Sequence, residues 1–269
     1  MKISFIGGGN MARALISGLL AQGEAAADIC VVEPDAGKRD ALRADFGVNV
    51  SEQLPSAAAA DVIVLAVKPQ QLRDIAIFLS SLLRQQLVVS IAAGIRTPDL
   101  IRWLGNYGNV VRVMPNTPAQ VQAGVSALYA APGVSLAQRQ MAGSLLAAVG
   151  TCVWLEDEEQ MNAVTAISGS GPAYVFYFLE AMQQAGSELG LAPDQAKMLA
   201  LQTFIGAAKL AAGSPLDPAA LRAQVTSKGG TTERALLTME QAQVKAAIVR
   251  AIHAAATRSA ELGDVLGKD

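Results

Sequence analysis

The chain has 269 residues, 52% of them hydrophobic and 16% charged, and its formal net charge is −2. This length holds one large domain or two modest ones with ample core, and the composition excludes disorder. Scattered basic residues and a near-zero balance argue against a nucleic-acid or anionic-membrane surface. The opening MKISFIGGGN breaks its apolar run in glycines, unlike a secretory signal or membrane anchor. Gly, Pro, Arg or Gln interrupts every later apolar segment before it could span a bilayer. Cys30 and Cys152 each lie in an apolar, strand-like run, which predicts buried free thiols rather than a disulfide and suits a reducing compartment. The expectation is a soluble, cytoplasmic protein with no nucleic-acid or membrane partner.

KISFI (2–6) reads as a short buried strand, and GGGNMARALISGLLAQG (7–23) as a glycine turn feeding an amphipathic helix. DICVVE (28–33) is a second strand, with a helix beginning after Pro34. ADVIVLAV (60–67) is a strongly apolar strand, followed by the helix KPQQLRDIAIFLSSLL. QLVVSIAAG (86–94) and NVVRVMP (109–115) are further strands with the short helix TPDLIRWLG between them. VQAGVSALYAA (121–131) and TCVWLE (151–156) bracket another helix and are expected as antiparallel edge strands. Continuous apolar strands alternating with helices predict an α/β fold, a doubly wound sheet of Rossmann type over residues 1–156. Residues 157–269 hold no convincing strand and predict a separate all-helical domain. Its long Ala/Leu/Met faces suit burial against a second copy of itself.

The first candidate site is GGGNMA (7–12), with Gly7, Gly9 and Ala12 in the spacing G-x-G-x-x-A. Gly7 permits the tight turn, Gly9 lets a pyrophosphate approach backbone amides, and Ala12 allows close helix-to-strand packing. The pattern is weak alone, but here it follows the first strand and opens a helix. Gly7, Gly8, Gly9, Asn10, Met11 and Ala12 are therefore expected to border a dinucleotide; the competing reading is a structural turn. Glu33 ends the second strand, where an acidic residue can chelate the adenosine ribose and favour NAD. Lys38 or Arg39 could instead serve a 2′-phosphate, and Glu33 could simply begin a solvent-facing turn. Ligands of such sheets lie outside the carboxyl ends of the strands. Ala66, Val67, Lys68 and Pro69 after one strand, Ala92 and Gly94 after the next, and Asn116 in MPNTP are expected on that rim.

Two glycine-rich helix starts lie in the helical half. SGSGPAYVFYF (168–178) places Pro172 in a first turn, as a cap with free amides or as a hinge. VTSKGGTTERALLTME (225–240) puts two glycines where one Ser or Asp would make an ordinary cap. Exposed amides, the hydroxyls of Thr231 and Thr232, and the helix dipole favour a bound carboxylate there.

FIGGGNMA, LAVKPQ, MPNTP, SGSGPAYVF, LQTFIGAAKL and VTSKGGTTERAL occur in the order found in pyrroline-5-carboxylate reductases and span nearly the whole chain, which resembles that family. The resemblance implies reduction of 1-pyrroline-5-carboxylate to L-proline, the last step of proline biosynthesis. NADPH is the usual cofactor, with NADH also possible. It implies a helical C-terminal domain that intertwines with a partner's to make a homodimer, sometimes a higher oligomer of dimers. By the same resemblance, amides of Gly229, Gly230 and Thr231 hold the substrate carboxylate, and Thr232 occupies the catalytic threonine position. A threonine hydroxyl does not ionise near neutral pH, so Thr232 reads as a hydrogen-bond donor to the imine nitrogen. Lys228 stands where many members carry Pro, and Gln53 where many carry Asn near the ribose. The sole histidine, His253, reads as a packing residue on a helix. A hydroxyacid dehydrogenase is a second reading. Its lysine on the first helix of the second domain has no counterpart here, because no lysine occurs between Lys68 and Lys197. A non-catalytic dinucleotide sensor is a third, and would need no carboxylate pocket.

Overall fold

The computed structural model describes residues 1–268. Short apolar runs closed by glycine or polar turns form strands β1 (Ile3–Ile6), β2 (Ile29–Val32), β3 (Asn49–Ser51), β4 (Val62–Leu65), β5 (Leu87–Ser90), β6 (Val110–Met114), β7 (Gly124–Ala130) and β8 (Gly150–Trp154). They make one sheet in the order β3-β2-β1-β4-β5-β6-β7-β8. β1 to β6 are parallel; β7 runs antiparallel to β6, and β8 is parallel to β7. The two late strands therefore oppose the rest, as the sequence pattern predicts. Every residue of β1, β4 and β5 is buried, which requires cover on both faces. β3 was not expected. It has three residues, one exposed and two half-buried, and only its pairing with β2 defines it.

Between the strands run α1 (Asn10–Ala21), α2 (Ala36–Phe46), α3 (Pro69–Ser80), α4 (Thr97–Trp103) and α5 (Leu136–Ala147). Their starts have local causes. Asp35 caps α2 by accepting the Lys38 amide at 2.8 Å, and Ser135 and Gln138 form a reciprocal capping box on α5. Proline near the start of α3 and α4 presets the helical φ. Cys30 and Cys152 are free and half-buried, and loss of hydration pushes both thiols above the usual range.

After β8 the described residues hold only helices: α6 (Gln160–Val164), a wide turn at Thr165–Gly169, α7 (Gly171–Glu188), α8 (Pro193–Ala212), α9 (Pro218–Gln224), α10 (Thr231–Gln241) and α11 (Val244–Leu266). None of these helices is long and apolar enough to cross a membrane. The chain divides into two compact units, one of Met1–Ser170 with the chain from Ala255 onward, the other Gly171–Ala254. This division differs from the boundary expected after residue 156. Several polar contacts tie residues 157–170 and the end of α11 to the first unit. Glu158 bonds Arg112 and Thr97, Ser168 bonds Asn116, Ser259 bonds Asn162, and Arg96 pairs with Asp264. Helical periodicity reports which face is apolar, not which body that face joins.

Candidate active site

The glycine turn is built as its spacing predicts. Gly7 has φ +98°, and a β-carbon there would lie 2.7 Å from the Ala66 carbonyl oxygen. Only glycine fits that approach. Its amide donates to the Val32 carbonyl at 2.8 Å, tying the end of β1 to β2. Gly9 caps α1 with extended backbone, and a β-carbon on it would meet nothing within 4 Å. Among the described residues the amides of Gly9, Asn10, Met11 and Ala12 have no hydrogen-bond partner, as at the first turn of a helix, and so can receive an anion. Ala12 is fully buried, in keeping with the close packing its position demands.

This turn opens on a cavity of about 560 Å³. Gly7, Gly8, Gly9, Glu33, Ala66, Val67 and Lys68 line it, and Pro69 starts the helix beside it. A diphosphate fits the residues present: the amides are open, the Gly9 face is clear, and the ammonium groups of Lys38 and Lys68 border the space without partners among the described residues. Sequence reasoning missed Glu52, Leu54, Gln71 and Ile75 on this wall. The first two follow the unexpected β3, while Gln71 and Ile75 sit on turns of α3 that periodicity leaves unassigned. Gln53 begins a short helical turn between Glu52 and Leu54, and its amide bonds the Ser51 hydroxyl at 3.0 Å.

Four further expected residues, Glu33, Gly94, Ala92 and Asn116, are buried or nearly so and held by neighbours within the chain. Glu33 is only 6% exposed, and its carboxylate accepts the Gly8 amide at 2.9 Å and the Asp35 amide at 3.1 Å. It braces the glycine turn from behind, so the Gly8 amide is not free for a phosphate. Gly94, with φ +80°, is covered by Leu262 and Leu266 of α11, and its neighbour Ala93 carries the exposure at that loop. Ala92 is 4% exposed beneath it. Asn116 is 9% exposed with both ends of its amide engaged: Nδ2 donates to the Ser168 carbonyl at 3.2 Å, and Oδ1 accepts the Val125 amide at 2.9 Å. Its part is to brace MPNTP against SGSGP, a tie that no linear spacing could reveal.

In the helical unit, Gly229 takes a left-handed conformation, φ +73°, and leads into α10 through its N-cap, Gly230. In the single chain the Gly229 and Gly230 amides, expected to receive a carboxylate, each have an internal partner. Gly229 donates to Glu233 Oε2 at 2.7 Å, and Gly230 donates to the Ser227 carbonyl at 3.0 Å. The left-handed turn aims the first amide back at the helix, where an internal carboxylate already meets it. The amides of Thr231, Thr232 and Glu233 have no partners among the described residues, nor do the hydroxyls of Thr231 and Thr232. His253, expected to be packed, is exposed on α11 within the single chain.

A glycine turn with open amides at the head of a doubly wound sheet suits a dinucleotide, and residues 2–94 match the family model described as NADP oxidoreductase, coenzyme F420-dependent, which gives the class as a nicotinamide-dependent oxidoreductase. Residues 158–262 match the model for pyrroline-5-carboxylate reductase dimerisation. The pyrroline-5-carboxylate reductase of Pseudomonas aeruginosa is 49% identical over 269 residues, 99% of this chain and 98% of that one. Among solved structures, a pyrroline-5-carboxylate reductase from Coxiella burnetii aligns with a TM-score of 0.92 at 41% identity, covering 97% of this chain and 98% of its own. The Plasmodium falciparum pyrroline carboxylate reductase with NADP bound aligns at 0.89 with 28% identity, covering 98% of both chains. The chain belongs to the pyrroline-5-carboxylate reductase family. It is an NAD(P)H-dependent oxidoreductase that self-associates through its helical region.

Proposed function

We propose that the protein reduces 1-pyrroline-5-carboxylate to L-proline with two helix starts sharing the work. The amides of Gly9 to Ala12 hold the cofactor diphosphate, aided by Lys68. The amides of Thr231 and Thr232 hold the substrate carboxylate, which the dipole of α10 also favours. When bound, the reduced nicotinamide supplies the hydride that goes to the imine carbon, C2 of the pyrroline ring, which becomes C5 of proline. The nitrogen gains a proton as C=N becomes a single bond, so the product is the amino acid with an oxidised cofactor. The Thr232 hydroxyl has no partner of its own among the described residues and is free to donate to that nitrogen. Holding the two reactants in fixed geometry supplies much of the rate. The observation that carries this reading is the start of α10: unpartnered amides and hydroxyls behind a left-handed glycine, in a place where a plain cap would need neither.

The same reading places the enzyme in the cytoplasm as a homodimer or an assembly of dimers. Both NADPH and NADH serve, because Lys38 borders the cavity beside the carboxylates of Glu33, Asp35 and Glu52. The test is to incubate the purified protein with 1-pyrroline-5-carboxylate and each cofactor, following nicotinamide absorbance and identifying the product by mass spectrometry. Cofactor-dependent formation of proline is expected. A protein that binds NADPH yet forms no proline would be a different enzyme or a sensor.

A further inference from the structure

The sheet unit contains a buried charge cluster that the reaction itself does not use. Arg112, in the middle of β6, is 7% exposed, and its Nη1 donates to Glu158 Oε1 at 2.7 Å. The same oxygen accepts the Thr97 amide at 2.7 Å and the Thr97 hydroxyl at 2.9 Å. One carboxylate therefore joins three pieces of chain: the strand that ends at MPNTP, the start of α4 just after the SIAAG loop, and the segment entering α6. Both rim loops that follow β5 and β6 leave the sheet within a few residues of this cluster. A cavity of about 480 Å³ lies beside it, bordered also by Arg96 and Asn162. Across that space Arg96 donates to the Ala260 carbonyl at 3.2 Å and pairs with Asp264 at 2.7 Å. The wide turn at Thr165–Gly169 is fixed downstream by the bond from Asn116 to Ser168.

The Arg112 side chain is withdrawn from water in the middle of a sheet, and that of Glu158, in the turn before α6, is largely so. An apolar pair of the same volume would hold such a position at least as well, so stability alone is a poor account of it. The cluster sets the height and direction of the loops at the carboxyl ends of β5 and β6, the place where a doubly wound sheet receives its ligand. We propose that Arg112 and Glu158 are positioning residues for the reduction: they hold the SIAAG and MPNTP loops in register beneath the nicotinamide half of the cofactor. This inference rests on the function proposed above. It predicts that loss of the pair slows turnover while leaving the diphosphate grip of α1 intact.

The experiment compares Glu158→Gln, Arg112→Met and the double variant Arg112→Met/Glu158→Met with the wild type. Four quantities are read: thermal midpoint, NADPH dissociation constant, hydrogen exchange of the amides from Ile91 to Thr97 and around Asn116, and kcat for proline formation. Each single variant leaves one buried group unmatched and is expected to melt early. The double variant regains part of the melting temperature, because no unpaired charge remains, although Thr97 loses its acceptor. It should still exchange faster in both loops and lose about ten- to a hundred-fold in kcat, the cost of a small displacement at the reacting atoms. Its NADPH affinity should stay within about threefold of wild type, since the diphosphate rests on α1. A double variant with wild-type kcat and wild-type loop exchange would overturn the proposal and leave the pair a structural tie only. If the wild type forms no proline, the proposed function fails by itself, and loop exchange in the apoprotein decides this inference separately.

Discussion

The sheet unit and the helical unit use the same apolar alphabet to opposite ends. In the first, Phe5, Ile6, Leu15, Ile63, Leu65 and many others are essentially inaccessible, a core the unit completes within itself. In Gly171–Ala254 the buried apolar residues are Leu179, Ala196 and Ala200, while Phe176 is 64% exposed, Met198 58% and Leu210 70%. A helical body of that kind has spent little of its hydrophobic surface, and the dimerisation model over 158–262 supplies the reason. One unit is stable by its own contacts; the other is completed by a second copy. Stability and assembly should therefore answer to different substitutions.

The largest effect is expected where a charge enters the unfinished face. Ile205→Glu would bury an unpaired carboxylate on association, at about 3–5 kcal/mol. Sedimentation should then show monomers, and activity should vanish with the dimer; an active, stable monomer would refute the comparison. Leu65→Ala addresses the other unit. It empties a fully buried site, should cost about 2–5 kcal/mol in unfolding free energy, and should leave the mass in solution unchanged at low temperature. Calorimetry and light scattering together separate the two cases, and a dissociated Leu65→Ala protein would mean the units are not independent in this sense.

Next come the two helix starts. Thr232→Ala should lower kcat by roughly ten- to a thousand-fold, the range for one lost donor to a developing charge. Thr232→Ser keeps the hydroxyl and should keep much of the rate, with NADPH binding unchanged in both. Wild-type kcat in the alanine variant, with only a lower melting point, would make Thr232 an ordinary helix residue. Gly9→Val fills the space that is empty within 4 Å of that position. It should weaken NADPH by roughly ten- to a hundred-fold, about 1.4–2.8 kcal/mol, with no change in fold by circular dichroism. Titration showing native affinity would remove the diphosphate from this turn.

The smallest effect belongs to Glu33. Removing one like charge near a 2′-phosphate is worth about 1 kcal/mol in water-like surroundings, or roughly fivefold. Glu33→Ala should raise the preference for NADPH over NADH by that factor. It should also loosen the turn, because Gly8 and Asp35 lose their acceptor. A constant ratio with weaker binding of both cofactors would assign Glu33 to bracing alone.

How much of this was legible beforehand follows from what each feature depends on. The parallel strands were readable because burial on both faces leaves an unbroken apolar run. Gly7, Gly9 and Ala12 were readable because a tight turn and a close backbone approach exclude other side chains at a fixed spacing. β3 was not, since three half-exposed residues have no periodicity of their own. Glu33 and Asn116 stood in the right segments, but the partners that claim them lie 25 and 52 residues away in the chain. At α10 the linear pattern shows two glycines but not that the Glu233 carboxylate turns back to Gly229, where only the left-handed φ aims that amide at it.

The sequence by itself determined the α/β class, the glycine turn, the helical second half and the family, because each rests on local conformational limits or on motifs in fixed order. Tertiary structure alone decided which amides remain free, where the two units divide, and that Thr97, Arg112 and Glu158 meet at a single oxygen. Those outcomes depend on side chains from distant segments competing for the same donors, and a linear pattern carries no record of who wins.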